Sequence, residues 1–428
     1  MTPLPSTAPR REVSPALPLG ALLVASAVMA AAASVWVGRP GLLAAAAPSP
    51  AFLALTHAVT LGYVTLVFVG TLQQLLPVLL VTRLAWPRLG QATLPALAVG
   101  SAAVVAGFAL GFEPLLLAFG GTLVALALWA TALQAALMLA RSGRRDVAGR
   151  GLVTATGYLA LTVTLGLLLA AEAHVPSLAR WLGYPLQLHL TVGLFGAFLL
   201  GIAAAGQRLL AMFALAKRTR AVRLRLLTAL VHAAVAVELL RAFAHLPLEN
   251  VAPTLLAIAG AMQLYEVAAL LRVRLRRRLE APVQRYLWAH AFLPAAGVLA
   301  LSGNAPAAVT ALLLGFVVIA VSGMQAKIAS FLTWNARYAA RGAHGTAPLL
   351  HDLLLPGVEP LTTFGLTAGA AVATASVATH AEPLAAVAAP LLAIGAWAQL
   401  VQTGAILFGR HDARGAATAV ETPSKERT

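Results

Sequence analysis

The chain carries about twelve apolar stretches, each long enough to cross a bilayer, and that one feature leaves its backbone few choices. They run roughly over residues 18 to 38, 51 to 80, 92 to 111, 114 to 140, 150 to 172, 184 to 215, 224 to 245, 251 to 272, 285 to 303, 306 to 334, 360 to 380 and 385 to 408. Lipid offers no partner to a free N–H or C=O, so such runs satisfy themselves as helices or close into a barrel. Alanine and leucine dominate and no alternating strand pattern is present, which sets the barrel aside. With 60% apolar and 10% charged residues, the expectation is an all-α polytopic membrane protein of about twelve spans.

Three of these runs share a spacing. A glycine is followed, after eleven residues, by a polar or basic residue, two aliphatic or small residues, and Pro, Ala or Ser. The copies are Gly62 to Gln74-Leu75-Leu76-Pro77, Gly196 to Arg208-Leu209-Leu210-Ala211, and Gly315 to Lys327-Ile328-Ala329-Ser330. Consecutive copies lie about 120 to 130 residues apart, the length of four membrane helices with their loops. The chain therefore reads as one membrane domain over about 18 to 408, built from four-helix units at about 18–140, 150–272 and 285–408. Short polar tails, 1–17 and 409–428, flank it, the second expected to be disordered.

Basic residues test the span count, because Lys and Arg collect on cytoplasmic loops. Arg83 and Arg88, the cluster from Arg141 to Arg150, Lys217 to Arg225, Arg272 to Arg285, and Arg337 with Arg341 fall on one side. Only Arg39, Arg180 and Arg241 fall on the other. The expectation is a multi-pass protein of the cytoplasmic (inner) membrane with both termini in the cytoplasm. Arg10 and Arg11 before an apolar run look like a signal peptide, but cleavage would remove span one and reverse this sidedness. The net charge of +16 is accounted for by the topology and by attraction to the lipid bilayer, with no folded basic domain to suggest nucleic acid. No cysteine is present, which rules out thiolate ligation and leaves His, Met, Asp and Glu as possible ligands. Hydrolase elbows, HExxH, P-loops and dinucleotide fingerprints are missing from any fitting context.

Ionisable groups at membrane depth are costly, so each is a candidate for function. His57 and His189 lie near the outer ends of spans two and six, ahead of glycines that admit a flat group or a neighbouring helix. They stand five and seven residues before their respective glycines, so a straight α-helix at about 100° per residue puts them on different faces. His232 sits inside span seven and His245 at its outer end. Glu238, Arg241 and His245 form one helical stripe, read as a self-neutralising helix end, or with His232 as a copper or substrate ligand and Arg241 as a partner for an anionic group such as a haem propionate. Glu266 in span eight and His290 in span nine share a depth, where they could pass protons or lock two helices. Tyr286, Trp288 and Trp334 are expected in an interfacial aromatic belt, and Arg208 and Lys327 are expected to snorkel to the membrane surface.

The stretches His57 to Pro77, Gly193-Leu-Phe-Gly196 through Met212-Phe213, and Lys327-Ile-Ala-Ser-Phe-Leu-Thr-Trp334-Asn-Ala-Arg337-Tyr338 resemble divergent members of the haem–copper oxidase and nitric oxide reductase subunit I superfamily, of the oxidase-like or NnrS-like kind. The resemblance implies a haem or copper site, with His57 matching the span-two ligand of the low-spin haem, His189 the copper ligand of span six, and His232 or His245 loosely the copper ligands after span seven. The chain departs from that pattern: residues 306 to 334 hold no histidine, and span seven has no His-His pair. With those departures, the resemblance implies a redox protein holding one haem b or one copper, in nitric oxide or respiratory metabolism, served by an electron donor or another membrane subunit, and without a complete oxygen-reducing centre. The alternatives are a transporter or permease that kept the scaffold without the cofactor, and an accessory or sensor platform.

Overall fold

The computed structural model describes residues 14–44, 49–144, 146–172, 185–216, 220–244, 246–339 and 347–409. His245, Arg180, Lys217, Arg341, the first thirteen residues and the tail after residue 409 lie outside that set. Among the described residues the structure is helical, with eleven helices long and apolar enough to cross a membrane. They are α1 (Ala16–Gly38), α2 (Pro50–Leu80), α3 (Pro87–Ala109), α4 (Pro114–Arg141), α5 (Val147–Glu172), α6 (Pro185–Phe213), α7 (Ala221–Ala244), α8 (Val251–Arg272), α10 (Ala305–Arg337), α11 (Val358–Thr379) and α12 (Glu382–Phe408). The protein is an all-α, multi-pass membrane protein.

Helix starts follow local chemistry. Several open with Pro in the first turn, where its missing N–H costs nothing. Ser49, Glu113 and Asn304 accept the otherwise unsatisfied N–H groups of Phe52, Leu116 and Ala307 at the heads of α2, α4 and α10.

The expected ninth span, 285 to 303, is not one continuous helix. It is split into α9a (Ala281–Ala289) and α9b (Phe292–Leu301), with His290 and Ala291 at the joint. Pro294 gives the reason. It has no N–H to offer the carbonyl of His290 one turn back, and its ring crowds that carbonyl. The carbonyl of His290 instead accepts from Leu293 in a tighter turn.

Burial separates an inner set of helices from an outer one. The most apolar windows of α2, α6 and α10 are 61%, 78% and 83% buried, against 28% to 50% for the other spans. The three inner helices are those that carry the glycine spacing, and each glycine faces the span before it. A Cβ at Gly62 would stand 2.7 Å from Cγ1 of Val28 on α1, and one at Gly196 2.7 Å from Cγ of Tyr158 on α5. One at Gly315 would run into the ring of Phe292 on α9b. Lipid tails are as apolar as leucine, so association here rests on close van der Waals approach rather than on expulsion of water.

Each inner helix also contains a turn of π-helix at the same place, over Ala58–Thr65, Thr191–Leu199 and Ala311–Val318. Such wide turns are rare. In α2 the hydroxyl of Thr65 donates to the carbonyl of Thr60 five residues back, at 2.8 Å, and so occupies an acceptor inside the widened turn.

At the opposite, arginine-rich end, the polar residue of the second and third motifs meets the head of the same outer helix. Arg208 pairs with Asp146 and Lys327 with Glu280. Lys327 is 2% exposed and Arg208 is largely buried, each held by its carboxylate partner. Asp146 caps α5 by accepting from the N–H of Gly149, and Glu280 precedes the first turn of α9a. Tyr158 and Phe292 each lie twelve residues beyond these carboxylates, as Arg208 and Lys327 lie twelve beyond their glycines. Two antiparallel helices are thus pinned twice, at contacts about 18 Å apart. In the first unit the same positions are Ala16 and Gln74, both uncharged.

The expected interfacial belt comprises Tyr286, Trp288 and Trp334. Trp288 is exposed, but Tyr286 is buried, its hydroxyl against Gly206 of α6, and Trp334 donates its indole N–H to the carbonyl of Pro348.

Candidate functional site

His57 and His189 end the α-helical first turns of α2 and α6, one and two residues before the π-helical segments begin. Nδ1 of His57 lies 2.8 Å from the carbonyl of Leu53, and Nδ1 of His189 lies 3.1 Å from the carbonyl of Thr162 on α5. A carbonyl can only accept, so in both rings Nδ1 carries the proton and Nε2 keeps its lone pair. Among the described residues neither Nε2 has a protein hydrogen-bond partner. Both rings are half-buried. The α-helical projection that sets them on different faces does not hold where a π turn begins, because the angle per residue changes there.

Neighbouring residues fix both rings. Phe108 of α3 stacks on His57 with centroids 4.8 Å apart and planes at 30°. Gly166, one turn beyond Thr162 on α5, leaves room for His189, whose Cε1 would stand 3.3 Å from a Cβ at that position. An imidazole oriented by a backbone carbonyl at one nitrogen, with the other free, is the usual arrangement of a histidine that ligates a metal.

The other candidate residues do not join this pair. Nδ1 of His232 is hydrogen-bonded to the hydroxyl of Tyr158 at 2.5 Å, and the ring lines a groove with Arg150, Thr154, Arg225 and Thr228. His245 lies outside the described residues. Among the described residues no three His, Asp or Glu side chains come together as a metal-holding group, so His57, His189 and His232 do not form one ligand set. Arg241 donates from Nη1 to both carboxylate oxygens of Glu238, at 3.0 and 3.2 Å, which is the Glu238–Arg241 part of the expected stripe.

Glu266 and His290 do not pair. Glu266 faces Arg223 at 3.3 Å. His290 donates from Nδ1 to the carbonyl of Tyr286, and its Nε2 meets the amide of Gln263 at 3.1 Å, so both its nitrogens are occupied. Phe316 packs edge-on against its ring.

Sequence reasoning missed a second feature. Arg285 and Glu359, 0% and 3% exposed, form an ion pair of 2.9 Å between α9a and α11. Arg285 also reaches the carbonyl of Ser322, 3.2 Å away on α10. Close by, the Gln399 amide donates to Tyr63 and to Gln325, and the Gln325 amide donates to Ser26 and to the carbonyl of Leu22. The sequence reading counted Arg285 with the basic loop that begins at Arg272, whereas the structure buries it within α9a.

Comparison with protein-family models and with curated proteins finds no match for this chain.

Proposed function

We propose that the protein is a membrane redox protein holding one haem b between the imidazoles of His57 and His189. The observation that carries this reading is the matched pair of rings, each with Nδ1–H on a backbone carbonyl and Nε2 unengaged. A haem fits the donor set better than copper. Its macrocycle would supply four nitrogens, so that the two imidazoles of His57 and His189 would complete the ligand set, whereas for a copper ion no third His, Asp or Glu joins the same two imidazoles among the described residues. When bound, the haem supplies one-electron transfer. The chain's own residues orient the ligands through Leu53 and Thr162, cover one ring with Phe108, and leave space beside the other at Gly166.

On this reading the protein is a divergent relative of haem–copper oxidase subunit I, placed in the cytoplasmic membrane with its termini inside. It lacks a complete oxygen-reducing centre, and it exchanges electrons with a donor in nitric oxide or respiratory metabolism. The test is an absorption spectrum with metal analysis of the purified wild type, His57→Ala and His189→Ala. A Soret band and stoichiometric iron in the wild type, lost in both variants, support the proposal. A colourless, metal-free wild type sinks it.

The buried Arg285–Glu359 pair and the polar cluster of Tyr63, Gln325 and Gln399 favour a second reading, a transporter on the same scaffold. It predicts metal-independent solute or proton flux into vesicles, abolished by Glu359→Gln.

A further inference from the structure

Gln207 on α6 carries an amide donor into the bilayer. Its Nε2 is buried with no hydrogen-bond partner among the described residues, a costly state where lipid can offer none. The first unit shows what the same amide meets there. Gln73 precedes Gln74 on α2 as Gln207 precedes Arg208 on α6, so the two occupy one position of the repeat. Nε2 of Gln73 donates to the carbonyl of Gly90 and, at 3.1 Å, to the hydroxyl of Thr93, both on the next helix, α3. Counted from the heads of α3 and α7, at Pro87 and Ala221, those residues correspond to Leu224 and Leu227. Leu227 has no hydroxyl to put where Thr93 puts one. The third unit has Ala326 at the amide position and no side-chain donor to satisfy.

Where the first unit has those partners, the second has a small cavity. Gln207, Leu224 and Leu227 line it, together with Arg223 and with Gln263 and Glu266 of α8. Its volume of about 10 Å³ is close to one water-sized sphere and too small for an organic solute. Charge disfavours an ion as well, because Arg223 and Glu266 lie 3.3 Å apart and neutralise each other. What remains is mixed hydrogen-bonding chemistry. Gln207 brings an N–H, whereas a carboxylate has about four acceptor sites, so that Glu266 can serve a further donor besides Arg223. Gln263 gives its Nε2–H to Nε2 of His290 and lines the cavity as well. A ligand of this size that both accepts and donates is water.

We propose that the cavity holds one ordered water, which accepts from Gln207 and donates to Glu266 and to the amide oxygen of Gln263. It does in the second unit what the Thr93 hydroxyl does in the first, and it ties α6 to α8 beside the Arg223–Glu266 pair. Glu266 and His290 then belong to one hydrogen-bonded assembly without touching, through the water and Gln263. An amide N–H does not titrate, so the assembly is a brace rather than a proton relay. The site is independent of the haem reading and of the transporter reading.

Met262 also lines the cavity, and its thioether is converted to the sulfoxide by radicals released from an irradiated water beside it. The full chain in lipid nanodiscs is given a short X-ray pulse with a radical scavenger in the bulk, and each methionine is read by peptide mass spectrometry. Met262 is expected to oxidise several-fold faster than Met29 and Met138, which lie at 0% exposure in the apolar core. Met262 is only half-buried, so Gln207→Leu supplies the contrast. That change removes the water's anchor, leaves the outer face of Met262 as it was, and should cut the oxidation several-fold. A Met262 no more reactive than Met29 and Met138, or one equally oxidised in Gln207→Leu, overturns the water. Should Gln207→Leu fail to fold, judged by melting, a cryo-EM map of the wild type decides. Density in the cavity within hydrogen-bond reach of Nε2 of Gln207 supports the proposal, and an empty cavity in a map that resolves other waters refutes it. Density that appears only in sodium or potassium salt assigns an ion and refutes the water as well.

Discussion

The third inner helix, α10, and the first two, α2 and α6, are built alike and loaded differently. All three have the glycine contact, the π turn and deep burial. Yet α2 and α6 bring a half-free imidazole to the turn before the π segment, while α10 brings no ionisable side chain there and is walled by Phe292 and by Phe316 against His290. Five residues beyond Asp146 and Glu280, where α5 has Gly151 and α9a has Arg285, the outer helices diverge as well, and the equivalent on α1 is Ala21. Small residues there let helices close, as at Gly151 against Ala204 and at Ala21 against Gly70. Arg285 instead requires the buried carboxylate of Glu359. A shared scaffold therefore leaves the choice between a half-free imidazole and a buried ion pair to single side chains.

That contrast can be broken most severely at the imidazoles. His57→Ala or His189→Ala should remove the Soret band entirely, whereas His290→Ala, whose ring has both nitrogens occupied, should keep it. Next in size is Glu359→Leu, which leaves Arg285 buried without its partner and should cost about 3–5 kcal/mol, read by thermal melting. Alanine at Gly315 or Gly196 must displace an aromatic ring, and overpacking of that kind costs about 1–3 kcal/mol. Gly62→Ala meets one methyl of Val28 and should cost less than either.

Smaller effects sharpen the comparison at the other end of the bundle. Burial raises the pKa of Glu280, but hydrogen bonds and charge from Lys327 and Arg276 outweigh it and hold the carboxyl below its ordinary value of 4.5. A depressed folded value means that the pair contributes fully above about pH 4.5 and is lost as pH falls through the lowered value. Lys327→Met should cut that acid-side loss of melting temperature. Ala16→Asp with Gln74→Arg would give the first unit the lock that the others have. A gain under about 1 kcal/mol is expected, since both new charges must be desolvated.

Much of this architecture was legible in the chain. The spans, their loops and the three glycines read directly, because lipid enforces helix and small residues mark close approach. The break at His290 was also legible in principle, since Pro294 must unseat the carbonyl four residues before it. The π turns were not. In a run such as Ala311-Leu-Leu-Leu-Gly-Phe-Val-Val318 every face is apolar, so hydrophobic periodicity cannot report a change in winding. The partners of Glu266, His290 and Lys327 were equally hidden, because each depends on which neighbouring helix supplies the hydrogen bond.

By itself, then, the sequence determined the solvent, the secondary structure and which helices could pack most closely, all of which follow from local composition and from the absence of water in a bilayer. Only the tertiary structure decided that His189 rests on the carbonyl of Thr162 of α5, that His232 looks into a separate groove, and that Arg285 is neutralised by Glu359. Those outcomes are relations between helices distant in sequence. They are set by the widened turns and by the depth at which each pair of helices meets, and no single stretch of the chain encodes either.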